Sequence, residues 1–167
     1  ILEFFKMILI IKKDKIIQFS YNLIFIIYIS CLTGACLIFS SLFTLKLITF
    51  IILIICISSD IGGYIFGKVF KGPKLSKLSP KKTISGSLGS LMFSSATAFF
   101  LIYNLNGGME YKNILVGCII SIACQLGDLF FSFIKRKSNL KDTSDILPGH
   151  GGILDRIDGI LLGLPVG

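Results

Sequence analysis

The sequence predicts an all-α fold: a polytopic integral membrane helix bundle with about five spans present. Hydrophobic residues make up 53% of the 167 residues and charged residues only 16%, and the mean hydropathy is +0.85. Soluble domains carry roughly 25% charged residues, so they are excluded as a class. The chain begins at Ile1 and stops at Gly167 inside an apolar run, so we expect it to be incomplete at both ends.

The predicted spans follow one another with short polar connections. They cover residues 16–45, 47–70, 86–104 and 113–134, and a fifth begins near residue 153. Each complete run matches the length of about 20 residues that crosses a bilayer. Residues 1–15 form a separate N-terminal segment, either a helix tail or an interfacial helix. Residues 16–167 form one membrane-embedded domain, because no polar linker divides them.

Basic residues in the connections predict the orientation. Six lysines and no acid lie from Lys68, at the end of the second predicted span, to Lys82 before the third, and residues 135–141 add four basic residues after the fourth span. Loops rich in lysine and arginine remain in the cytoplasm. The net charge of +8 is therefore explained by these loops, and we expect no nucleic-acid partner.

Four carboxylates interrupt the apolar spans: Asp60, Asp128, Asp155 and Asp158. The predicted orientation places all four at a similar depth in the cytoplasmic half of the membrane. A buried carboxylate without a cation costs several kcal/mol, so such residues usually mark functional sites. We therefore expect the four side chains to share one pocket. A carboxylate-lined transporter is the non-enzymatic alternative, although its acids should spread through the whole membrane depth.

A polar stripe follows one face of the fourth predicted span. Gln125, Asp128, Ser132 and Lys135 recur at steps of three, four and three residues, which aligns them on one side of a helix. The stripe suits the wall of a cavity that opens to the cytoplasm. The alternative is a hydrogen-bonded seam between helices, which could explain Gln125 and Ser132 but explains Asp128 poorly.

Asp155 and Asp158 are three residues apart and so lie on one helix face. Together with a carboxylate on a facing helix they can hold Mg²⁺, which takes oxygen ligands and keeps waters or substrate phosphates. The alternative is an ion-pair cluster with Arg156 at a helix start, where the dipole favours acids.

Two further polar segments are suited to phosphate. His150 is flanked by glycines, which allow a ligand to approach the backbone closely. Its role is left open between phosphate contact, acid–base chemistry and positioning. The segment from Ser79 to Thr83 places two lysines between two hydroxyl residues, a pattern that can grip phosphate or can simply be a positive loop.

These motifs resemble the phosphatidate cytidylyltransferases, also called CDP-diacylglycerol synthases. The resemblance covers residues 47–166 and is most specific near the C-terminus. The matching motifs are Ser132-Phe-Ile-Lys-Arg136, Lys141-Asp142, Pro148 through Asp158, Gly127-Asp128, Asp60-x-Gly-Gly-Tyr64-x-x-Gly67 and Ser79-Pro-Lys-Lys-Thr83.

The resemblance implies that CTP and phosphatidate react to give CDP-diacylglycerol and pyrophosphate, with Mg²⁺ as cofactor and a second cation left open. It implies a cytidylyltransferase domain in a cell inner membrane, with the site on the cytoplasmic side and a homodimer as an open question. The implied catalytic residues are Asp128, Lys135, Arg136, His150 and Asp155, and the implied metal ligands are Asp128, Asp155 and Asp158. The implied substrate-binding residues are Asp60, Ser79, Lys81, Lys82, Thr83, Ser132, Lys141, Gly151, Gly152 and Arg156.

Two positions depart from the family pattern. Ser85 and Phe131 stand where the family usually or often carries an acid. Because of these departures, a truncated inactive relative stays open as a further non-enzymatic alternative. The enzymatic alternative is a CTP-dependent polyprenol kinase, in which CTP gives its γ-phosphate.

Overall fold

The computed structural model describes residues 1–11, 14–75, 79, 82–108, 110–140, 143–144 and 151–167, and these form helices and short connections. The helices are α1 (Leu2–Ile11), α2 (Lys15–Ser41), α3 (Phe43–Phe70), α4 (Ile84–Asn106), α5 (Tyr111–Lys137) and α6 (Leu154–Val166). Within the described ranges, strand-like pairing is limited to an isolated bridge between Lys74 and Thr83. The predicted all-α fold is confirmed.

Four of these helices, α2 to α5, are long and apolar enough to cross a membrane, so the protein is an integral membrane protein. The first predicted boundary is wrong: α2 ends at Ser41, and Lys46 lies inside α3. A lysine can extend its aliphatic stem along apolar surface, so its charge does not have to mark a helix end. The last helix, α6, begins near the predicted residue and has 13 residues.

Small residues bring the central helices into close contact. A Cβ atom at Gly62 of α3 would lie 2.6 Å from the carbonyl oxygen of Gly89 in α4. A Cβ atom at Gly127 of α5 would lie 2.7 Å from the carbonyl oxygen of Asp158 in α6. Without a hydrophobic effect between helices in lipid, such close packing is a main source of association. The helices α3, α4, α5 and α6 therefore form the tightly packed part of the bundle.

The short helix α1 contributes to the core. Phe4, Met7 and Ile8 are buried in one cluster with Phe25 of α2 and Phe131 of α5. The rings of Phe4 and Phe25 stack with their centroids 3.9 Å apart. The N-terminal segment thus packs against the membrane-embedded helices.

The connection between α3 and α4 is closed by backbone hydrogen bonds. Lys71 ends α3 in a left-handed conformation with φ of 47°. The N–H of Leu75 donates to the carbonyl of Lys82 at 2.8 Å. Thr83 then caps α4, because its hydroxyl oxygen accepts from the N–H of Gly86 at 3.1 Å. Lys82 and Thr83 are thereby held beside the end of α3.

Candidate active site

One cavity of about 500 Å³ is lined by Asp60 of α3, Asp128 of α5, and Asp155 and Asp158 of α6. The prediction that these four carboxylates share a pocket is confirmed. Basic and hydroxyl side chains also line it: Lys68, Lys82, Arg156, Thr83, Ser87 and Ser90. The cavity therefore presents both signs of charge in the otherwise apolar bundle.

Asp128 joins the wall of the cavity to the loop before α4. Its Oδ2 atom forms an ion pair with the ammonium group of Lys82. Its Oδ1 atom accepts a hydrogen bond of 3.3 Å from the hydroxyl of Ser132, one turn further along α5. Both oxygens of this carboxylate thus have partners from the predicted stripe and the predicted phosphate loop.

Gln125 belongs to a hydrogen-bonded seam between α4 and α5. The hydroxyl of Ser87 donates to Oε1 of Gln125 at 2.5 Å, and Nε2 of Gln125 donates to the carbonyl of Ser87 at 3.3 Å. The alternative interpretation of the stripe is therefore correct for this residue, although its side chain also reaches the cavity.

Lys135 lies between the two carboxylates of α6. Its Nζ atom is 2.7 Å from Oδ1 of Asp155 and 3.7 Å from Oδ2 of Asp158. The side chains of Lys135 and Asp155 are only 12% and 13% exposed. The resemblance implies a catalytic role for Lys135, and in this structure its charge is matched by these two carboxylates of α6.

Asp155 is held by donors at both oxygens. Besides Lys135, its Oδ2 atom accepts from the N–H of Thr143 at 2.8 Å, the hydroxyl of Thr143 at 2.9 Å and the N–H of Gly152 at 3.0 Å. These donors from Lys135, Thr143 and Gly152 stabilise the charged form of the carboxylate.

Glu3 of α1 was not identified from the sequence. It is only 8% exposed, and its carboxylate accepts hydrogen bonds from Thr143, Ser144, Ile153 and Leu154. Burial raises its pKa, but these four donors prevail and the pKa lies below the usual value. The available signal was a single acid inside the apolar run Leu2-Glu3-Phe4-Phe5.

The glycine pair before α6 has a steric explanation. Gly151 adopts φ of 79°, a left-handed conformation that favours glycine. A Cβ atom at Gly152 would collide with the hydroxyl of Thr143 and lie 2.7 Å from Oε1 of Glu3. Both predicted glycines therefore allow the loop to approach the buried carboxylates.

The remaining predicted residues are not all gathered at the cavity. Arg136 is exposed in the last turn of α5, away from the cavity lining as far as the described residues define it. The carbonyl of Ser79 accepts from the N–H of Lys82 at 3.1 Å, a backbone role within the loop. Lys81, Lys141 and His150 lie outside the residues that the structure describes, so their roles stay predictions.

Both departures from the family pattern have structural partners. Phe131 is buried edge-on against Phe25, with ring centroids 6.4 Å apart. The hydroxyl of Ser85 lies 3.0 Å from that of Thr83 and accepts from the N–H of Gly72 at 3.3 Å. These side chains serve packing and loop closure in this chain.

The donor chemistry of the cavity fits a magnesium ion that shares its coordination with a substrate. Among the described residues, no three acidic, cysteine or histidine side chains are gathered as a ready-made metal site. Mg²⁺ commonly uses one or two carboxylates together with waters and phosphates, so such a cluster is not required. Asp60, Asp128 and Asp158 line the same cavity, and a cation among them would offset the repulsion expected between like charges. Asp155 fits less well, because both of its oxygens already accept hydrogen bonds.

Comparison with known proteins finds relatives that share one name. The chain is 43% identical to a phosphatidate cytidylyltransferase of Rickettsia conorii over 122 residues, which cover 67% of this chain and 53% of the relative. It is 37% identical to a protein of the same name from Mycobacterium leprae over 113 residues, 67% of this chain and 36% of the relative. A third, from Synechocystis sp., is 40% identical over 129 residues, 74% of this chain and 43% of the relative.

The chain thus spans about half the length, or less, of the curated relatives that it matches. The family assignment rests on a broader match. The model of the cytidylyltransferase family aligns with residues 1–167, and this chain therefore belongs to the cytidylyltransferase family.

Proposed function

We propose that the cavity binds CTP and the phosphate headgroup of phosphatidate, and that it transfers a cytidylyl group to give CDP-diacylglycerol and pyrophosphate. The observation that carries the proposal is the convergence of four carboxylates and three basic side chains on one cavity in a member of the cytidylyltransferase family. The relatives described above are phosphatidate cytidylyltransferases, which supports the choice of lipid substrate.

In the proposed reaction, a phosphate oxygen of the lipid attacks the α-phosphorus of CTP. The bond from that phosphorus to the oxygen leading to the β-phosphorus breaks, and pyrophosphate leaves with the electron pair. The residues of the chain mainly position the two phosphates and stabilise the charge that develops on them. Lys68, Lys82 and Arg156 supply positive charge at the cavity. Lys82 would exchange its partner Asp128 for a phosphate oxygen.

Asp128 and Asp158 are the residues best placed to hold Mg²⁺, with Asp60 in the same cavity. The ion would neutralise the triphosphate and stabilise the leaving pyrophosphate. Asp155 would join as a ligand only by giving up a hydrogen bond, and a second cation stays a prediction. The main role of the ion pair between Asp155 and Lys135 is then to fix the start of α6.

We further propose that the cavity faces the cytoplasm from a cell inner membrane. The support is the lysine-rich connection from Lys71 to Lys82, which belongs on the cytoplasmic side by its charge. Two of its described residues, Leu75 and Lys82, line the cavity. A homodimer stays a prediction that chemical crosslinking in membranes would test.

The test uses purified protein with phosphatidate, Mg²⁺ and CTP labelled at either the α- or the γ-phosphorus. We expect the α-label to enter the lipid fraction and the γ-label to appear in pyrophosphate. Transfer of the γ-label to a lipid, tested with polyprenol as well, would instead identify a kinase. No transfer of either label would identify an inactive relative.

Two variants connect this activity to the cavity. Asp128→Asn and Asp155→Asn are each expected to abolish product formation while the protein still folds. The matched control is Glu110→Gln, which removes an acid from an exposed pair with Lys112 on the opposite connection. Near-normal turnover by both aspartate variants would show that the cavity is not the site.

A further inference from the structure

We propose that Glu3 is a positioning residue that holds the start of α6 and, through Thr143, fixes Asp155 at the cavity. The effect on turnover rests on the proposed function, whereas the effect on α6 does not. The proposal assigns a role at the site to the N-terminal helix α1, which lies about 150 residues away in sequence from the segment that it contacts.

The carboxylate of Glu3 takes the place of a helix cap. Oε1 accepts from the hydroxyl of Ser144 at 2.5 Å and the N–H of Ile153 at 3.0 Å. Oε2 accepts from the hydroxyl of Thr143 at 3.1 Å and the N–H of Leu154 at 2.7 Å. The first N–H groups of a helix lack partners within the helix. Since the residue that caps α6 provides no side-chain hydrogen bond of its own, Glu3 satisfies these groups from another helix.

Thr143 connects Glu3 to Asp155. Its hydroxyl oxygen lies 3.1 Å from Oε2 of Glu3 and 2.9 Å from Oδ2 of Asp155, so one hydroxyl proton is shared by two carboxylates. The side chain of Thr143 is 1% exposed, which leaves little room for another rotamer. The connected side chains run from Glu3 through Thr143 and Asp155 to Lys135.

Because Glu3 is buried, the hydrogen bonds at the start of α6 depend on its charged carboxylate as the acceptor. Glu3 lies next to Phe4 in a cluster of buried apolar side chains, where an unpaired carboxylate would be strongly disfavoured. Four donors and the positive end of the α6 dipole stabilise it there. A glutamine at position 3 has the same size, but its NH₂ group would replace an oxygen that accepts from two donors. Glu3→Gln therefore changes the hydrogen bonding with little change in volume.

The first experiment measures hydrogen exchange at the amides of Ile153 and Leu154 by mass spectrometry on the full chain in detergent. We expect Glu3→Gln to speed exchange there about tenfold or more, because both amides depend on the carboxylate. Exchange in α4 should stay unchanged, which shows that the bundle is intact. Glu110→Gln is the matched control and should leave both regions unchanged. Unchanged exchange at Ile153 and Leu154 in Glu3→Gln would overturn the proposal.

The second experiment measures kcat and KM for CTP. We expect Glu3→Gln and Thr143→Val each to lower kcat about tenfold or more with less than about a threefold change in KM, because misplaced reacting groups affect turnover more than binding. Thr143→Ser keeps the hydroxyl and should retain most activity. The double variant Glu3→Gln with Thr143→Val should be no worse than about the worse single variant, since both act on one connected set.

Additive losses, or failure of Thr143→Ser to restore kcat over Thr143→Val, would overturn the positioning role. If Glu3→Gln does not fold, Thr143→Val tests the positioning role instead, because it leaves Glu3 with three of its four donors. The same comparison of kcat with Thr143→Ser then decides whether the role holds. If the wild-type chain makes no CDP-diacylglycerol, the proposed function fails, and the exchange experiment alone decides the role of Glu3.

Discussion

Lys82 and Asp128 form an ion pair that joins the loop before α4 to α5 inside the carboxylate-lined cavity. Their side chains are 29% and 28% exposed, so both remain accessible from the cavity. A triphosphate that enters this space could bind the ammonium group of Lys82 in place of Asp128. The carboxylate of Asp128 would then need another cation. The pair therefore balances charge in the cavity that the proposed triphosphate would enter.

Replacing Lys82 tests this relationship. Lys82→Gln leaves Asp128 without its cation, so the cavity should repel a triphosphate more strongly. We expect kcat/KM for CTP to fall about 10- to 100-fold in steady-state assays. The control Lys112→Gln removes a lysine from an exposed pair with Glu110, 3.6 Å apart, and should change kcat/KM less than about twofold. Equal effects of the two variants would contradict the role of Lys82.

Replacing Gly62 tests the contact between α3 and α4. A Cβ atom there would lie 2.6 Å from the carbonyl oxygen of Gly89, so Gly62→Ala should destabilise the protein by about 1–3 kcal/mol. At Gly34 in α2 a Cβ atom would meet nothing within 4 Å. Gly34→Ala should therefore be neutral or stabilising by up to about 1 kcal/mol. Thermal unfolding in detergent compares the two, and an equal loss would show that the close contact is unimportant.

Glu3 should contribute a distinct acid dependence of stability. Its folded-state pKa lies below the ordinary value of 4.5, so its contribution is complete above about pH 4.5 and is lost as pH falls through the folded-state value. The difference in Tm between the wild type and Glu3→Gln should therefore shrink as pH falls from 7 to 3. Glu110→Gln should follow the wild-type curve. A constant difference for Glu3→Gln across this range would contradict the assignment.

The orientation can be tested by labelling. In a background without the five native cysteines, Lys74→Cys and Glu110→Cys place one thiol on each of two connections that follow oppositely directed spans. An impermeant maleimide should label Glu110→Cys in intact cells but label Lys74→Cys only after permeabilisation. Labelling of both thiols from the same side would contradict the four-span arrangement.

The convergence of four carboxylates could be predicted because Asp60 and Asp128 are single acids within apolar spans, and Asp155 and Asp158 lie at the start of another apolar run. Loop lysines set the direction of each span, and the direction sets the depth of each acid. By contrast, the break at Leu42 could not be predicted, because it has no charge, proline or glycine and the nearby Lys46 suggested a different boundary.

The partners of Asp155 were also beyond sequence reasoning. Sequence spacing indicates which residues share a helix face, but it does not reveal that Thr143 and Gly152 donate to the same oxygen. The contact of Glu3 with Leu154 depends on how α1 packs against α2 and α5, and no local pattern encodes it. A single acid in an apolar run indicated that a partner was needed without identifying which one.

The backbone contact at Gly62 and Gly89 has a consequence for redesign. The two glycines leave each backbone against the other helix and against the Cβ atoms of Phe66 and Phe93, so a larger residue at either position would push α3 and α4 apart. Lys82, Thr83 and Arg156 line the cavity, whereas Gly62 and Gly89 are not among its lining residues. Redesign of the cavity should therefore change these side chains and keep both glycines.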